Sequence, residues 1–423
     1  MPALAGLLGA APRYAALLRS QYWSAARLGA YTAQRLRDVL AAAARVPFYA
    51  ARFGGVPGPA DLERLPILRR ADVAALEDSV RALHPSGTPF LRDRSSGSSG
   101  MPVSFLFDGA HQHGRFAARA RYLRANGWSP LRRSAWIISL PQDSPDAELV
   151  ASPTFPGASF LSHVTEFAEQ LRWLRRLDPV HLYTLPSNLE ALAGLVAASG
   201  EPLRSLRGVF TGGEVLDDAV RARAERALGV RVADNYGSTE AFLAWQCPHG
   251  SYHVNAEHVL LEIVDDGGRP VGDGDMGRVL ATTLENRLMP LVRYEIGDWA
   301  TPADGPCACG RTLPRIGSVV GRGINLFRMP DGRLRSPWRL VGPLKNRPQL
   351  RQFQIVQRSV ERYTVRYAGD SELTGADEAA IGREFREILG YEAAVDFERL
   401  TTIPRAPSGK FMTALSEVAT RSA

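Results

Sequence analysis

The chain has 423 residues, of which 45% are hydrophobic and 22% are charged, a composition typical of globular proteins. This length exceeds what one hydrophobic core supports and predicts one large and one small domain. The net charge is +7, but the basic residues are dispersed and do not alternate with aromatic residues, so nucleic-acid binding is not expected.

Membrane and secreted proteins are also disfavoured. No apolar run reaches the roughly 20 residues that cross a bilayer, and the apolar start "MPALAGLLGAAPRY" lacks the basic leader of a secretory signal. The three cysteines cannot all pair with one another, which favours a reducing cytoplasm.

The first third of the chain predicts helices and then a loop. Residues 1–50 are expected to be helical, because "QRLRDVLAAAARV" carries apolar residues at helical spacing and ends at Pro47. A Ser/Gly-rich loop over residues 92–104 precedes a strand at "VSFLF". A helix over residues 115–126 and a buried strand at "AWIISL" are predicted next.

The central third alternates strands with helices. "HLYTL" is followed by "SNLEALAGLVAA", "GVFTGG" by "LDDAVRARAERAL", and "RVADNY" by "GSTEAFLA", each read as a strand and then a helix. This rhythm predicts an α/β fold with a parallel sheet covered by helices on both faces.

The last third predicts a different organisation. Short strands at "HVLLEIVDD", "GRVLATTL" and "LVRYEIGDWA" indicate a small β subdomain at about residues 245–315, which completes a large domain of residues 1–320. The Gly- and Arg-rich segment 321–334 is typical of a boundary. Beyond it, a hairpin, a helix at 377–389 and a strand at "AAVDFERL" predict a small α+β domain of residues 321–423.

Two loops carry groups suited to phosphates and nucleotides. "SSGSSG" offers hydroxyls and backbone N–H groups that can converge on phosphate oxygens, although such runs are also common in flexible loops. "NYGSTE" follows a predicted strand, where ligands bind in parallel sheets, although it also suits a capped helix start. The candidate residues are Ser95, Ser96, Gly97, Ser98, Ser99 and Gly100, then Tyr236, Gly237, Ser238, Thr239 and Glu240.

Six motifs in one order resemble the adenylate-forming (acyl-CoA synthetase-like) superfamily, in its phenylacetate–CoA ligase and capsule-biosynthesis branch. They are the Ser/Gly loop, "GGE" at 212–214, "YGSTE", "YEIGD", "GR" at 321–322 and the terminal "PRAPSGK". The opening "VPFYAARF" and "DLERLPILRR" are similar to the N-terminal signature of that branch. The resemblance therefore covers residues 46–413.

The resemblance implies that ATP and a carboxylic acid form an acyl-adenylate and pyrophosphate, after which the acyl group passes to a thiol. It implies that residues 95–100 hold the pyrophosphate and that a mobile C-terminal domain turns about a hinge. The remaining roles would be divided as follows: Gly213 and Glu214 line the adenine and acyl sites, Tyr236 packs against adenine in a loop shared with Gly237 and Ser238, Thr239 contacts the α-phosphate, Glu240 ligates Mg²⁺, Asp298 holds the ribose and Arg322 lies at the hinge.

Lys410 is conspicuous because the chain contains only two lysines, Lys345 and Lys410, among 51 basic residues. The resemblance implies that Lys410 reaches between the substrate carboxylate and the α-phosphate. A compact ammonium group suits that task better than a planar guanidinium, since it can contact several oxygens at once. The alternative is a solvated loop lysine.

Two departures from the family pattern are visible. Met101 follows the Ser/Gly loop where many relatives have lysine, so less positive charge faces the terminal phosphates. "GRGINLF" lacks the acidic pair that usually follows "GR", which leaves the pivot of the hinge unexplained.

Cysteine and histidine residues near two predicted turns suggest a structural zinc site. "CPHGSYH" precedes a strand pair of the predicted β subdomain and "CACG" follows it, and together they supply a tetrahedral Cys₃His set. The set is Cys247, His253, Cys307 and Cys309, with His249 as the alternative histidine and unliganded thiols as the alternative reading.

The acid and the acceptor stay open at this stage. Trp136, Tyr183, Phe210 and Phe242 suit an aromatic acid, although each also suits core packing. The acceptor is coenzyme A or the phosphopantetheine of an acyl carrier protein, and the protein is a monomer or a homodimer. The alternatives are a nucleotidyltransferase that retains AMP on its product and a non-catalytic paralogue that binds a nucleotide.

Overall fold

The structure is a computed structural model, and it describes residues 2–84, 90–94, 103–139, 157–272, 275–322, 326–335, 337–345, 347, 349–350, 352–369, 371–403 and 412–418. The described residues form two compact units, which meet along the chain between residues 319 and 320. The sequence prediction put this boundary between residues 320 and 321. Within the described ranges, no helix is both long and apolar enough to cross a bilayer.

The larger unit contains eight of the described α-helices: α1 (Pro2–Ser20), α2 (Ala25–Ala43), α3 (Pro47–Phe53), α4 (Val73–Leu83), α5 (Gly109–Ala125), α6 (Phe167–Leu177), α7 (Pro186–Ser199) and α8 (Asp218–Leu228). Its strands are β1 (Leu91–Arg94), β2 (Ser104–Phe107), β3 (Ser134–Ile138), β4 (Ala158–Ser162), β5 (His181–Thr184), β6 (Gly208–Thr211), β7 (Val232–Gly237), β8 (Phe242–Gln246), β9 (Tyr252–Val254), β10 (Val259–Val264), β11 (Gly277–Thr283), β12 (Tyr294–Ala303) and β13 (Arg315–Arg322), the last of which ends beyond the boundary.

One sheet organises the larger unit. Its eleven strands lie in the order β10, β11, β12, β13, β9, β8, β7, β6, β5, β3, β4. The strands from β4 to β7 are parallel, whereas β8 pairs antiparallel with both β7 and β9. The parallel sheet predicted from the strand–helix rhythm is confirmed. The strands expected to form a small β subdomain extend this same sheet.

The helix predicted at "GSTEAFLA" is wrong, because residues 242–246 form β8. All five residues of this strand are buried. Alanine and leucine favour a helix in isolation, but a segment buried on both sides gains more by pairing with two neighbouring strands. Tertiary context therefore overrides local propensity here.

Helices cover both faces of the sheet, as predicted. Successive residues of a strand point to opposite faces, so Ala135 and Ile137 face one layer and Trp136 faces the other. The layer of α6, α7 and α8 packs over Leu182 and Val209. Residues of α1, α2 and α5 pack on the other face with the aromatic side chains.

The smaller unit contains β14 (Phe327–Arg328), β15 (Leu334–Arg335), α9 (Trp338–Lys345), β16 (Gln352–Ser359), β17 (Arg362–Ala368), α10 (Gly375–Leu389), β18 (Ala394–Arg399) and β19 (Ala414–Ser416). Four strands form a sheet in the order β18, β17, β16, β19. The predicted hairpin is β16–β17, and the predicted helix and strand are α10 and β18, so these three predictions are confirmed. Phe385 and Tyr363 lie in the core of this unit.

Candidate active site

The Ser/Gly loop begins and ends at a short hairpin. Strand β1 pairs antiparallel with β2, and Arg94 stands opposite Ser104 in this ladder. The six predicted phosphate-binding residues, Ser95 to Gly100, and the following Met101 lie outside the described residues. The hairpin places the two strands that lead into and out of the loop side by side.

The "GGE" motif follows β6 and bends the chain toward α7. Gly213 has a φ of +84°, the left-handed region that favours glycine. A side chain at Gly212 would come within 2.5 Å of the Asn235 side chain in β7, so this close approach favours glycine. The glycines therefore give the loop its shape.

Glu214 holds this loop against the N-terminus of α7. Its carboxylate accepts hydrogen bonds from the Ser187 backbone N–H at 2.9 Å and from the Ser187 hydroxyl at 3.2 Å. A carboxylate at a helix N-terminus satisfies an orphan amide and interacts favourably with the helix dipole. The sequence analysis missed Ser187, since its partner lies 27 residues away along the chain.

Two predicted nucleotide-binding residues contact each other. The Tyr236 hydroxyl donates a 2.9 Å hydrogen bond to Oδ2 of Asp298. Tyr236 is near the end of β7 and Asp298 lies in β12, so the sheet brings residues from separate motifs together. An aromatic ring and a carboxylate thus stand side by side at the C-terminal end of a parallel strand, where ligands bind in sheets of this kind.

Glu240 is a buried carboxylate in the turn between β7 and β8. Ser238 begins this turn, with its N–H donating to the Ala241 carbonyl at 2.9 Å. Burial raises the pKa of Glu240 and the nearby Asp298 carboxylate raises it further, whereas hydrogen bonds with the side chains of Ser238 and Tyr294 lower it. Thr239 is half-buried in the same turn. A buried carboxylate that interacts electrostatically with a half-buried one suits a bound cation.

Basic side chains from α5 face the same region. Arg115 lies near Asp93, with 3.9 Å between Nη1 and Oδ2, and it acts electrostatically on Glu240. Arg119, one turn further on, has its guanidinium 5.8 Å from the centroid of the Phe242 ring. Sequence reasoning missed both arginines, because 49 arginines among 51 basic residues carry no positional signal.

The four aromatic residues proposed for an acyl site share one cluster. Trp136 and Tyr183 stack with ring centroids 4.5 Å apart. Trp136, Phe210 and Phe242 are each no more than 3% exposed. Core packing therefore accounts for these three, while the half-buried Tyr183 receives a hydrogen bond from Asn235 at 2.9 Å.

The predicted cysteine and histidine set comes together between β8, β9 and the loop before β13. One ligand atom from each of Cys247, His253, Cys307 and Cys309 lies within 4.8 Å of the others. The Cys247 and Cys307 sulfurs are 3.7 Å apart, and His253 Nε2 lies 3.3 Å from Cys309 Sγ. His249 is exposed and contributes only its backbone N–H, which points at Cys247 Sγ.

This donor set fits a zinc ion. Burial lowers the pKa of His253 to about 4, so its imidazole is neutral and has a lone pair to donate. Although burial opposes it, hydrogen bonds with Ser251 and the neighbouring thiols lower the pKa of Cys307 to about 7. Three thiols and one imidazole at these separations match the Cys₃His composition of structural zinc sites.

Two other predicted residues belong to the C-terminal part of the chain. Arg322 ends β13, and its side chain is outside the described residues. Lys410 is likewise outside the described part of the chain, between Ile403 and Met412. Both roles remain predictions.

The comparisons with known proteins agree with the geometry. The family model of AMP-binding enzymes matches residues 150–283, which include "GGE" and "YGSTE". A phenylacetate–coenzyme A ligase of Thermus thermophilus is 27% identical over 329 residues, 70% of each chain. A protein of the same description from Escherichia coli K12 is 32% identical over 162 residues, 36% of each chain.

Solved structures share the fold. A 2-hydroxyisobutyryl-CoA ligase in the postadenylation state has a TM-score of 0.75 at 20% identity, covering 95% of this chain and 93% of that one. An anthranilate CoA ligase with bound anthranoyl-AMP has a TM-score of 0.60 at 20% identity, covering 76% and 64%. Together, these comparisons show that the chain is similar to AMP-binding enzymes and to phenylacetate–coenzyme A ligases, and that it shares the fold of CoA ligases.

Proposed function

We propose that this protein uses ATP to convert a carboxylic acid into an acyl-adenylate with release of pyrophosphate, and then transfers the acyl group to the thiol of coenzyme A. The observation that carries the proposal is the convergence of Tyr236, Glu240 and Asp298 at the C-terminal end of β7. The relatives named phenylacetate–coenzyme A ligase support the same reaction.

Tyr236 and Asp298 are proposed to bind the nucleoside. The ring of Tyr236 would pack against adenine, alongside Gly213 and the backbone of Gly237. The Asp298 carboxylate would accept hydrogen bonds from the two ribose hydroxyls. Because the Tyr236 phenol already donates to Asp298 Oδ2, the carboxylate is oriented before the nucleotide arrives. Glu214 is proposed to act by holding the loop that lines the adenine and acyl sites.

Glu240 is proposed to ligate Mg²⁺, and the site fits that ion. Its carboxylate is buried and the Asp298 carboxylate raises its pKa, so a bound cation would favour the ionised form that can ligate it. Bound Mg²⁺ would neutralise charge on the phosphate oxygens. Thr239, one residue before the ligand, would donate its hydroxyl to the α-phosphate, with Ser238 fixing the turn that presents it.

Residues of the remaining motifs are proposed to act as the family resemblance implies. Residues 95–100 would hold the departing pyrophosphate with their N–H groups and hydroxyls. Lys410 would stabilise negative charge that develops between the acid and phosphorus. Arg322 would lie at the hinge about which the small domain turns.

The acid is proposed to be aromatic. The protein is proposed to act in the cytoplasm. The phenylacetate and 4-chlorobenzoate ligases among the relatives favour an aryl group. Tyr183, which is half-buried and stacks on the buried Trp136, is the aromatic residue of this cluster proposed to face the acid. Phosphopantetheine on an acyl carrier protein is the alternative acceptor, and a monomer or homodimer is the expected assembly.

The zinc ion is proposed to be structural. Four protein ligands would complete its coordination and leave no open position for water. Cys307 and Cys309 belong to the loop that also contains Thr312, whose N–H donates to the Gln21 carbonyl at 3.0 Å. Zinc would thus fix a loop that packs against the end of α1.

A pyrophosphate-release screen tests the proposed function. Purified protein with Mg²⁺ and ATP is offered aryl and short acyl acids, first alone and then with coenzyme A or a pantetheinylated carrier protein. We expect acid-dependent pyrophosphate, followed by AMP and a thioester. AMP retained on the product would indicate a nucleotidyltransferase instead, and nucleotide binding without turnover would indicate a non-catalytic paralogue.

A further inference from the structure

Arg115 occupies a position that the proposed reaction does not yet use. It projects from the second turn of α5, with 19% of its side chain exposed. Its guanidinium lies 5.5 Å from the ring centroid of Phe107, a residue of β2. It therefore stands beside the hairpin that leads into and out of the Ser/Gly loop.

Arg115 has charged neighbours of both signs. Arg119 lies one helical turn away, and like charges at this spacing repel. Asp93 approaches only to 3.9 Å and has half of its own side chain exposed, so its contribution is small. Burial and Arg119 lower the pKa of Arg115 to about 10, while Asp93 and Glu240 oppose this. The guanidinium stays charged at neutral pH, and its ion pair with Asp93 is long.

The position of Arg115 also complements a departure from the family pattern, the absence of a lysine after the Ser/Gly loop. Asp93 belongs to β1, which leads into the Ser/Gly loop, and Glu240 is the proposed Mg²⁺ ligand. Arg115 acts electrostatically on both. Met101 follows the loop, so no lysine supplies positive charge at that point of the chain. A cation between these elements is well placed for the terminal phosphates of a nucleotide.

We propose that Arg115 binds the β- and γ-phosphates of ATP and supplies the positive charge that Met101 does not. A guanidinium forms paired hydrogen bonds with phosphate oxygens and is always charged, so it suits a multiply charged triphosphate. Binding of ATP would also relieve the repulsion between Arg115 and Arg119. This inference rests on the proposed function, because it takes ATP as the substrate of the site.

The test compares nucleotide binding in four full-length proteins: the wild type, Arg115→Gln, Arg115→Lys and the control Arg124→Gln. Arg124 is an exposed arginine in the last turn of the same helix. Calorimetry measures binding of Mg·ATP, pyrophosphate and AMP, and thermal unfolding is followed in parallel. We expect Arg115→Gln to weaken ATP and pyrophosphate binding by about 10-fold or more, with AMP binding unchanged. Arg115→Lys should recover part of the loss, and Arg124→Gln should match the wild type.

Two results would overturn the inference. Equal ATP affinity in Arg115→Gln and the wild type would show that the guanidinium does not reach the phosphates. Equal loss of ATP and AMP binding together with a lower unfolding temperature would show a structural role instead. A wild type that bound Mg·ATP but formed no acyl-adenylate would contradict the proposed function, while the comparison of ATP with AMP would still decide the role of Arg115.

Discussion

The Tyr236 hydroxyl donates a hydrogen bond to the Asp298 carboxylate at 2.9 Å, although the two residues are 62 positions apart. Strands β7 and β12 belong to one sheet, in which β8, β9 and β13 lie between them. The hydrogen bond connects Tyr236, which is proposed to pack against adenine, with Asp298, which is proposed to bind the ribose. A substitution at either residue should therefore change the position of the other.

Tyr236→Phe removes that hydrogen bond and keeps the ring. We expect the KM for ATP to rise about 5-fold, because one hydrogen bond contributes about 1 kcal/mol. Asp298→Ala should raise it further, since the ribose contacts are lost as well. Steady-state kinetics with ATP varied checks both changes. An unchanged KM for ATP in both variants would show that neither Tyr236 nor Asp298 binds the nucleotide.

The cysteine and histidine cluster predicts bound zinc. Wild-type protein should contain about one zinc per chain, and Cys309→Ala should lose it and unfold at a lower temperature, because a structural zinc site contributes to folding. Elemental analysis and thermal unfolding measure the two quantities.

His249→Ala is the matched control for zinc, since this exposed histidine is close to Cys247 in sequence but does not belong to the cluster. It should keep the metal and the unfolding temperature. Wild-type protein with far less than one zinc per chain would contradict the site.

We predict that the difference in stability between the wild type and Asp234→Asn depends on pH. Burial raises its pKa to about 6, although Thr211 and Tyr252 donate hydrogen bonds to it. The folded state then binds the proton more tightly than the unfolded state, so this stabilisation is present below the unfolded pKa and is lost as the pH rises to about 6. Relative to Asp234→Asn, the wild type should lose on the order of 3 kcal/mol between pH 4 and pH 7.

Urea unfolding of both proteins at the two pH values measures this difference. The two proteins share every other titrating group. A change with pH in the difference between their free energies of unfolding is therefore due to Asp234. A difference that stayed constant with pH would mean that this carboxyl group keeps its ordinary pKa.

Arg121 and Glu257 form an ion pair in the core of the larger unit. Their side chains are 0% and 4% exposed, and Nη1 of Arg121 lies 2.8 Å from Oε1 of Glu257. Arg121→Met should cost about 3–5 kcal/mol, because Glu257 keeps a buried charge without its partner. Arg133→Met, which breaks a pair that is 59% and 47% exposed, should cost much less. Similar losses in the two variants would contradict this account.

Much of the α/β unit was predictable because its signals are local. The segments that became β5 with α7 and β6 with α8 show apolar periodicity over their full lengths and end at glycines. The clustering of Cys247, His253, Cys307 and Cys309 was also predictable, since the chain has three cysteines and their spacing leaves few combinations.

The errors and omissions have one physical origin, contacts that are distant in sequence. Residues 242–246 have helical propensity but are buried between β7 and β9. Ser187 meets Glu214, and Tyr294 meets Glu240, only through the folded sheet. A clue was present for β8, because the turn "CPHGS" separates two apolar segments as in a hairpin.

Acid-dependent release of pyrophosphate from ATP, compared between the wild type, Lys410→Ala and Lys345→Ala, tests the central claim most directly. Lys345 is the natural control, because it is the other lysine of the chain. We predict that Lys410→Ala lowers the rate by on the order of 10²-fold or more with unchanged thermal unfolding, while Lys345→Ala keeps the wild-type rate. Equal rates in all three proteins, or no acid-dependent pyrophosphate from the wild type with any acid, would contradict the account.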